Sequence, residues 1–600
     1  MRSTIFYFLI FFAATFYSSC SDAETYTVHF KVELDAIDIP NKVELIGNQK
    51  PLSWKRPVSM AATKQPNVFE TYITFKTDKP FIYFKFVADG TIELEGSDNR
   101  YLNLERGDTL SVSYQFNELE YYTTDESDQF TFTPEQIKKD IAILKEYLTF
   151  IHPSLYTFQS EADFEQALQT LESKLLAQPN LAGAYKHISR FAATIQCSHT
   201  FTNPWNQNKR VKRAFFYTPD KIPFTFTPLG NRLFVDRNAS EEPALKAGLE
   251  ILSINGISTQ ALLAELSTYI AADGKNDAKR IERLTVNGVE KFSLFDIFFP
   301  LVFGSTDTFQ LQLKDHSTGQ EQEVNVKAIS KTKRDQLLKE RYPDFGNSFA
   351  DLWQLDYPDA KTAYLKAGSF AVFNTDFDWK GFIDESMEEI IERDIERVIL
   401  DIRGNEGGEG KVALYLLSYF TDKKVELPPM EAYVNYLVIP DSLKEHIGTW
   451  DKFPYDMTKY ATKENGRYRL KQKYTGKPES IKPRKKNFKG KTYLLTDASN
   501  SSATHLMATY VKALTDITLV GQTTGGNQLG TNGGYMFFLN LPNLDIEVDI
   551  PVIKQQAFPV DANTPNGGIE PDIVIEKNIP DFVNGIDTEL QAVSKLDVNE

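Results

Sequence analysis

Cysteine is the first scarcity. The 600-residue chain carries two, Cys20 and Cys197, too few for the disulfide framework that holds small exported domains together, so packed cores must carry the fold. Positive charge is also short: 66 Lys and Arg stand against 82 Asp and Glu, a net charge of -16, which argues against the basic face a nucleic-acid binder needs. The run "KPRKKNFKGK" near residue 482 reads as a solvated loop. Long apolar runs are missing as well. The stretch from Ile5 to about Phe16 falls short of the roughly 20 residues of a membrane span, and no other stretch qualifies. Neither a Gly-Lys-Ser/Thr phosphate loop nor a G-x-G-x-x-G fingerprint is present, which disfavours nucleotide binding. What remains is an ordinary globular composition, 41% hydrophobic and 25% charged, long enough for about three to five domains.

The N-terminus, "MRSTIFYFLIFFAATFYSSCSDAE", has one positive charge, an apolar run and small residues ending in Cys20. Residues 1–20 therefore read as a secretory signal with a lipobox-like site, with Tyr17 where such sites usually carry Leu. Lipidation of Cys20 would anchor the mature chain, and the lipid would be its only contact with a membrane. The expected location is a bacterial envelope, as an outer-membrane lipoprotein facing the periplasm or the surface.

Residues 25–118 alternate apolar and polar side chains. In "TYTVHFKVEL" this puts Tyr26, Val28, Phe30, Val32 and Leu34 on one face, and with no helical period before about residue 118 the block reads as a β-sandwich. The pattern "VELIGNQKPLSW...NVFETYITF...FIYFKFVADGTIELEGSDNR" resembles starch-binding and glycogen-binding modules, where two tryptophans form a stacking platform. Trp54 matches the first of them, and Leu94 stands at the second. The resemblance implies a glycan or envelope partner, touched through Trp54.

Residues 130–212 turn helical. Thr133 is placed to cap a helix with Pro134 at its first position and Gln136 completing a capping box; Ile137, Ile141, Leu144, Leu148 and Ile151 then form its apolar stripe. Further helices are expected over about 161–177 and 181–195. Residues 215–330 mix short strands with one helix, and "ALKAGLEILSINGISTQALLAEL" resembles the core of PDZ domains. From 345 to 580, buried strands lead repeatedly into helices, which predicts a mostly parallel α/β sheet with its site at the carboxyl ends of the strands.

Two of those strand ends carry the chemistry. "VILDIRGNEGGEG" ends in Asp401 and Arg403 and then a glycine loop whose bare N–H groups could cradle an anion or an oxyanion. "TYLLTDASNSSATHLMATYVKAL" places serines where a strand meets a helix N-terminus, the design of a nucleophile elbow without its G-x-S-x-G motif. Together with "LVGQTTGGNQLG" and "GGIEPDIVI", in this order and spacing, these stretches resemble the S41 peptidases, the carboxyl-terminal processing and tricorn-core group. The resemblance extends over residues 130–580. It implies a multidomain α/β protein with an S41-type catalytic core, a PDZ-like domain, a helical subdomain and the N-terminal β-sandwich. It also implies a serine endopeptidase acting on protein or peptide substrates without metal or cofactor.

Carried over position by position, the family's nucleophile falls on Ser502, with Ser501 as the near alternative. Gly407, Gly408 and Ala503 would supply the oxyanion hole. The lysine base of the processing branch has no counterpart: its position is Asn527, and no lysine lies between Lys512 and Lys554. The tricorn-like branch draws a histidine from a Ser-His-Thr pattern, here Ser198-His199-Thr200, which makes His199 the expected base and Ser198 its support. Pro565 and Asn566 occupy the neighbourhood of the branch's glutamate, and Asp561 and Glu570 are the acids available for a third role. His505 stands where the family usually has Glu.

Overall fold

The computed structural model describes residues 24–596 apart from 35–39, 78, 80, 96, 105–108, 289, 344, 346–348, 374 and 472–479. Residues 1–20, read from the sequence as a signal segment ending in Cys20, lie outside the described residues. The chain divides into two compact units, one up to Glu120 and one from Tyr121 onward.

In the first unit the strand Glu24–Glu33 pairs antiparallel with Val68–Thr77 and parallel with Leu110–Gln115. A second sheet is built on Val43–Gly47 and Phe81–Ala88. The alternation read in "TYTVHFKVEL" is realised: Tyr26, Val28, Phe30, Val32 and Leu34 are buried against Phe75, Phe84 and Phe86, each such side chain contributing about 1.5–3 kcal/mol. One fully buried ion pair is set into this unit. Arg100 donates to both carboxylate oxygens of Glu93 at 2.8 Å and also to Glu120 and the Gln115 carbonyl. Trp54 is 43% exposed, whereas Leu94 is 0% exposed, so the position matched to a second platform residue belongs to the interior.

The second unit begins with helices. Thr133 and Gln136 form the capping box of Pro134–Ile151, and Glu161–Ala177 and Leu181–Thr194 follow. Next comes an antiparallel sheet whose Asn255-Gly256 turn takes positive φ at both residues, as a tight hairpin requires. This region holds three helices where the sequence reading expects one: Thr259–Ser267, Asp277–Glu282 and Leu294–Phe303. The second is only six residues long, and the third is apolar on nearly all sides, so neither shows a helical stripe.

The α/β sheet has the expected character. Strands Thr362–Ala367, Arg397–Asp401, Lys491–Thr496, Thr518–Gly521 and Ile573–Val574 run parallel, and Trp353–Asp359 closes one edge antiparallel. Helix Trp379–Glu392 packs Ile383, Met387 and Ile390 into its core beside Met507 and Val511 of helix Ser502–Leu514. A further antiparallel sheet, centred on Thr531–Leu541 and Ile546–Gln556, shares a core with the helical region and the middle sheet. No helix among the described residues is long and apolar enough to cross a membrane.

Candidate active site

The strand Lys491–Thr496 ends in a turn fixed by its own side chains. Asn500 Oδ1 accepts from the Asp497 N–H at 2.8 Å, and Asp497 accepts from the Ser499 and Gly404 N–H groups at 2.9 and 3.0 Å. Asn500 and Thr504 also donate to the Asn405 carbonyl, which ties the serine turn to the glycine loop. The three serines separate here. Ser499 and Ser501 are buried, and the Ser501 hydroxyl donates to the Glu406 carbonyl at 3.1 Å. Ser502 instead lines an open pocket of about 600 Å³ and sits at φ +52, a left-handed conformation uncommon for a residue with a Cβ. Strain of this kind concentrates at functional sites. Its helix starts at that residue, so the first N–H groups have no partner within the helix.

The glycine loop meets this turn from the other side. Gly407 has φ +111, and a methyl there would lie 2.9 Å from Ser502 Cβ and 3.0 Å from the Ala503 nitrogen. Its N–H, however, donates to Asn405 Oδ1 at 2.9 Å. Gly407 therefore supplies room for the serine and not a hydrogen bond to an oxyanion, which corrects the role the sequence reading gives it. The N–H groups of Gly408 and Ala503 have no hydrogen-bond partner among the described residues.

His199 reaches the same neighbourhood from the helical region. A methyl on Gly533 would lie 3.8 Å from its Nε2, and the next residue, Gly534, lines the Ser502 pocket. Burial lowers the imidazole below its ordinary value; Asp273 and Glu406 oppose the shift, while Arg283 and Lys279 add to it. The carboxylate beside it is Asp273, which the sequence reading did not single out. Asp273 is 2% exposed and accepts from both the N–H and the hydroxyl of Ser198, at 2.8 and 2.7 Å, and the same hydroxyl lies 3.1 Å from His199 Nδ1. Asp561 and Glu570 are exposed, and the Asp561 carboxylate is taken up by Asn563 and Thr564 in its own turn.

Lys279, also missed, is 2% exposed. It pairs with Glu406, next to Gly407, and donates to the Ser499 carbonyl at 2.9 Å; the pairing holds the Glu406 carboxyl down to about 2. The positions matched to the family's lysine and glutamate hold an amide pair instead. Asn527 Nδ2 donates to Asn566 Oδ1 at 2.8 Å, and both side chains crowd Gly274.

The remaining candidates are structural. His505 is buried, and burial brings it down to about 4. The neutral ring donates one N–H to the Asn527 carbonyl, so its Nδ1 accepts the Thr524 hydroxyl hydrogen at 2.8 Å, while Thr524 Oγ1 accepts from the Ile569 N–H. The Cys197 thiol is buried and pushed up to about 12, far from the thiolate a nucleophile needs. Among the described residues no cluster of His, Cys, Asp or Glu could hold a metal ion.

A strand-end serine in left-handed backbone thus stands beside a glycine loop. Residues 361–575 match the family model described as peptidase family S41; this part of the chain belongs to that family, and the protein is a serine-type peptidase. Among solved structures, mature CPAF complexed with lactacystin is similar at 14% identity and TM-score 0.50, with 77% of this chain and 97% of that one covered. The photosystem II D1 C-terminal processing protease aligns at 14% identity and TM-score 0.35, covering 77% and 97%. A putative S41 protease from Bacteroides fragilis NCTC 9343 aligns at 14% identity and TM-score 0.30, covering 63% and 82%. At 14% identity, the likeness to CPAF is one of fold. No curated protein matches the chain.

Proposed function

We propose that the chain is an exported endopeptidase in which Ser502 attacks the peptide carbonyl and His199 is the general base. The observation that carries this reading is the left-handed backbone of Ser502 at the head of its helix. Ser502 lines the pocket together with Ala503 and Gly408. A partly buried neutral imidazole suits proton abstraction near pH 7. His199 takes the serine proton as the tetrahedral intermediate forms and passes it to the leaving amine. A water then repeats the sequence on the acyl-enzyme and frees Ser502. The Gly408 and Ala503 N–H groups hold the oxyanion, a contribution of about 3–4 kcal/mol for a well-placed donor.

The pocket beside Ser502 receives a substrate side chain. Leu506, Ala513, Ala557, Phe558 and Ile569 give it apolar walls, and its one cation, Lys512, is paired with Asp572. An apolar substrate side chain therefore fits there. In this reading Cys20 carries a lipid anchor in a bacterial envelope, and the exposed Trp54 is the contact for a glycan or envelope partner. Loss of detergent-phase partitioning in Cys20→Ala tests the anchor, and loss of sugar retention in Trp54→Ala tests the glycan contact.

A fluorophosphonate probe tests the chemistry directly. Labelling disappears in Ser502→Ala, survives in Ser501→Ala and slows by at least about a hundredfold in His199→Gln. Absence of labelling in the folded wild-type chain would sink the reading.

A further inference from the structure

We infer that Asp273, acting through the Ser198 hydroxyl, is the acid that orients His199 and stabilises its protonated form. The inference rests on the assignment of His199 as base and extends it to a residue outside the matched region, in the loop leading into helix Asp277–Glu282.

Proton accounting carries the argument. Ser198 Oγ lies 2.7 Å from Asp273 Oδ2 and 3.1 Å from His199 Nδ1. A hydroxyl has one hydrogen to give and two lone pairs with which to accept. A carboxylate only accepts, so that hydrogen goes to Asp273 and Nδ1 must donate to Oγ. Nδ1 thus carries the ring proton, which leaves the Nε2 lone pair on the side where Gly533 adjoins the Ser502 pocket. This is the tautomer a general base needs. When Nε2 takes the Ser502 proton, the positive imidazole faces the Asp273 carboxylate across one hydroxyl.

Asp273 is itself held in place. The Ser198 N–H donates to its other oxygen at 2.8 Å, its carbonyl accepts from Asn527 at 3.4 Å, and Gly274 donates its N–H to the Gln196 carbonyl. The Asn527–Asn566 pair, at the positions where the resemblance would put lysine and glutamate, now braces the loop that brings a different acid in. The other charged groups acting on the imidazole are Lys279 and Arg283 from the same segment and Glu406 from the glycine loop. The first two disfavour the imidazolium, so the counter-charge from Asp273 has work to do.

Because Asp273 acts through another residue it is a positioning residue, and its test needs more than lost activity. In the full-length chain, Asp273→Asn is expected to lower kcat by about 10²- to 10⁴-fold with KM little changed, while Ser198→Thr, which keeps a hydroxyl, retains most of the rate. Adding Asp273→Asn to Ser198→Ala should cost little beyond either change alone, since both break one relay. Selective ¹⁵N labelling of histidine gives a readout independent of turnover. His199 should be an Nδ1–H tautomer in the wild type, and its protonation midpoint should fall in Asp273→Asn. Additive losses in the double variant, an Nε2–H tautomer in the wild type, or an unmoved midpoint would each overturn the inference. If the wild type labels but Glu570→Gln or Asp561→Asn carries the kinetic loss instead, the base assignment stands and the Asp273 relay fails.

Discussion

Gly407→Ala is the sharpest test of how the glycine loop serves the nucleophile. The added methyl would meet the Ser501 carbonyl oxygen at 2.8 Å, Ser502 Cβ at 2.9 Å and the Ala503 nitrogen at 3.0 Å. Comfortable carbon contacts begin near about 3.5 Å, so the serine turn must retreat by about half an ångström or more. The left-handed φ of +111 adds about 1–2 kcal/mol for any residue with a Cβ. Against a unit of this size that strain moves the melting temperature by only a few degrees. The displacement falls on Ser502 and Ala503; if Ser502 is the nucleophile, a shift of about 1 Å can cost about a hundredfold in rate. The assay is the second-order rate of fluorophosphonate labelling, read beside thermal unfolding. Gly404→Ala is the control: its φ is +78, yet a methyl there would touch nothing within 4 Å, so it carries backbone strain without the contact. Expected are a loss of at least about tenfold in Gly407→Ala and near wild-type labelling in Gly404→Ala, with both chains folded. Equal losses in the two variants would refute the contact argument, as would a folded Gly407→Ala that labels at the wild-type rate.

Two further outcomes concern stability. Arg100→Met leaves Glu93, which has no exposed side-chain surface, as an unpaired buried charge. The N-terminal unit should lose about 3–5 kcal/mol, seen in calorimetry as a lower first transition with the larger unit's transition unmoved; a loss under about 1 kcal/mol would contradict the pairing. Burial keeps His152 and His505 neutral in the fold, down to about 3 and about 4. The unfolded chain takes up these protons below about pH 6.5 and the native chain does not, so stability is full above that pH and falls as pH drops toward 4. Replacing His505 with Gln should flatten the slope between pH 6 and 4, and an unchanged slope would count against a neutral buried ring.

Periodicity and capping chemistry made much of the scaffold legible. The Thr133 box, the Asn255-Gly256 turn and the parallel strands ending at Asp401 and Thr496 are local decisions written in adjacent residues. The serine turn was readable for the same reason, because a strand, a polar turn and a helix stripe follow one another without a break. Less legible were features decided across the chain. Three serines look alike in sequence; the Ser501 bond to the Glu406 carbonyl, 95 residues away, and the left-handed backbone of Ser502 tell them apart. Gly407 and Gly408 are equally plausible oxyanion donors on paper, and Asn405, two residues before Gly407, takes the Gly407 N–H. The sheet around Thr531–Leu541 was not foreseen because its partner strands come from as far away as residues 431–434 and 447–448.

Asp273 and Lys279 escaped for a related reason, and the reason bears on how the site is assembled. Both lie in "DGKNDAKR", a polar stretch with no apolar period and no motif, in the region read as PDZ-like. In the fold this stretch touches every part of the site. Asp273 holds Ser198 beside His199, Asn276 donates to the Thr524 carbonyl below His505, and Lys279 bonds both Glu406 of the glycine loop and the Ser499 carbonyl of the serine turn. Each is a polar group with little or no access to water, so moving the stretch would leave several donors and acceptors unpaired at once. Ser198, the serine turn and the glycine loop are therefore tied to one another through a segment that lies outside the matched residues 361–575. The α/β sheet carries the serine turn and the glycine loop, and the middle region ties both to the segment that holds Ser198.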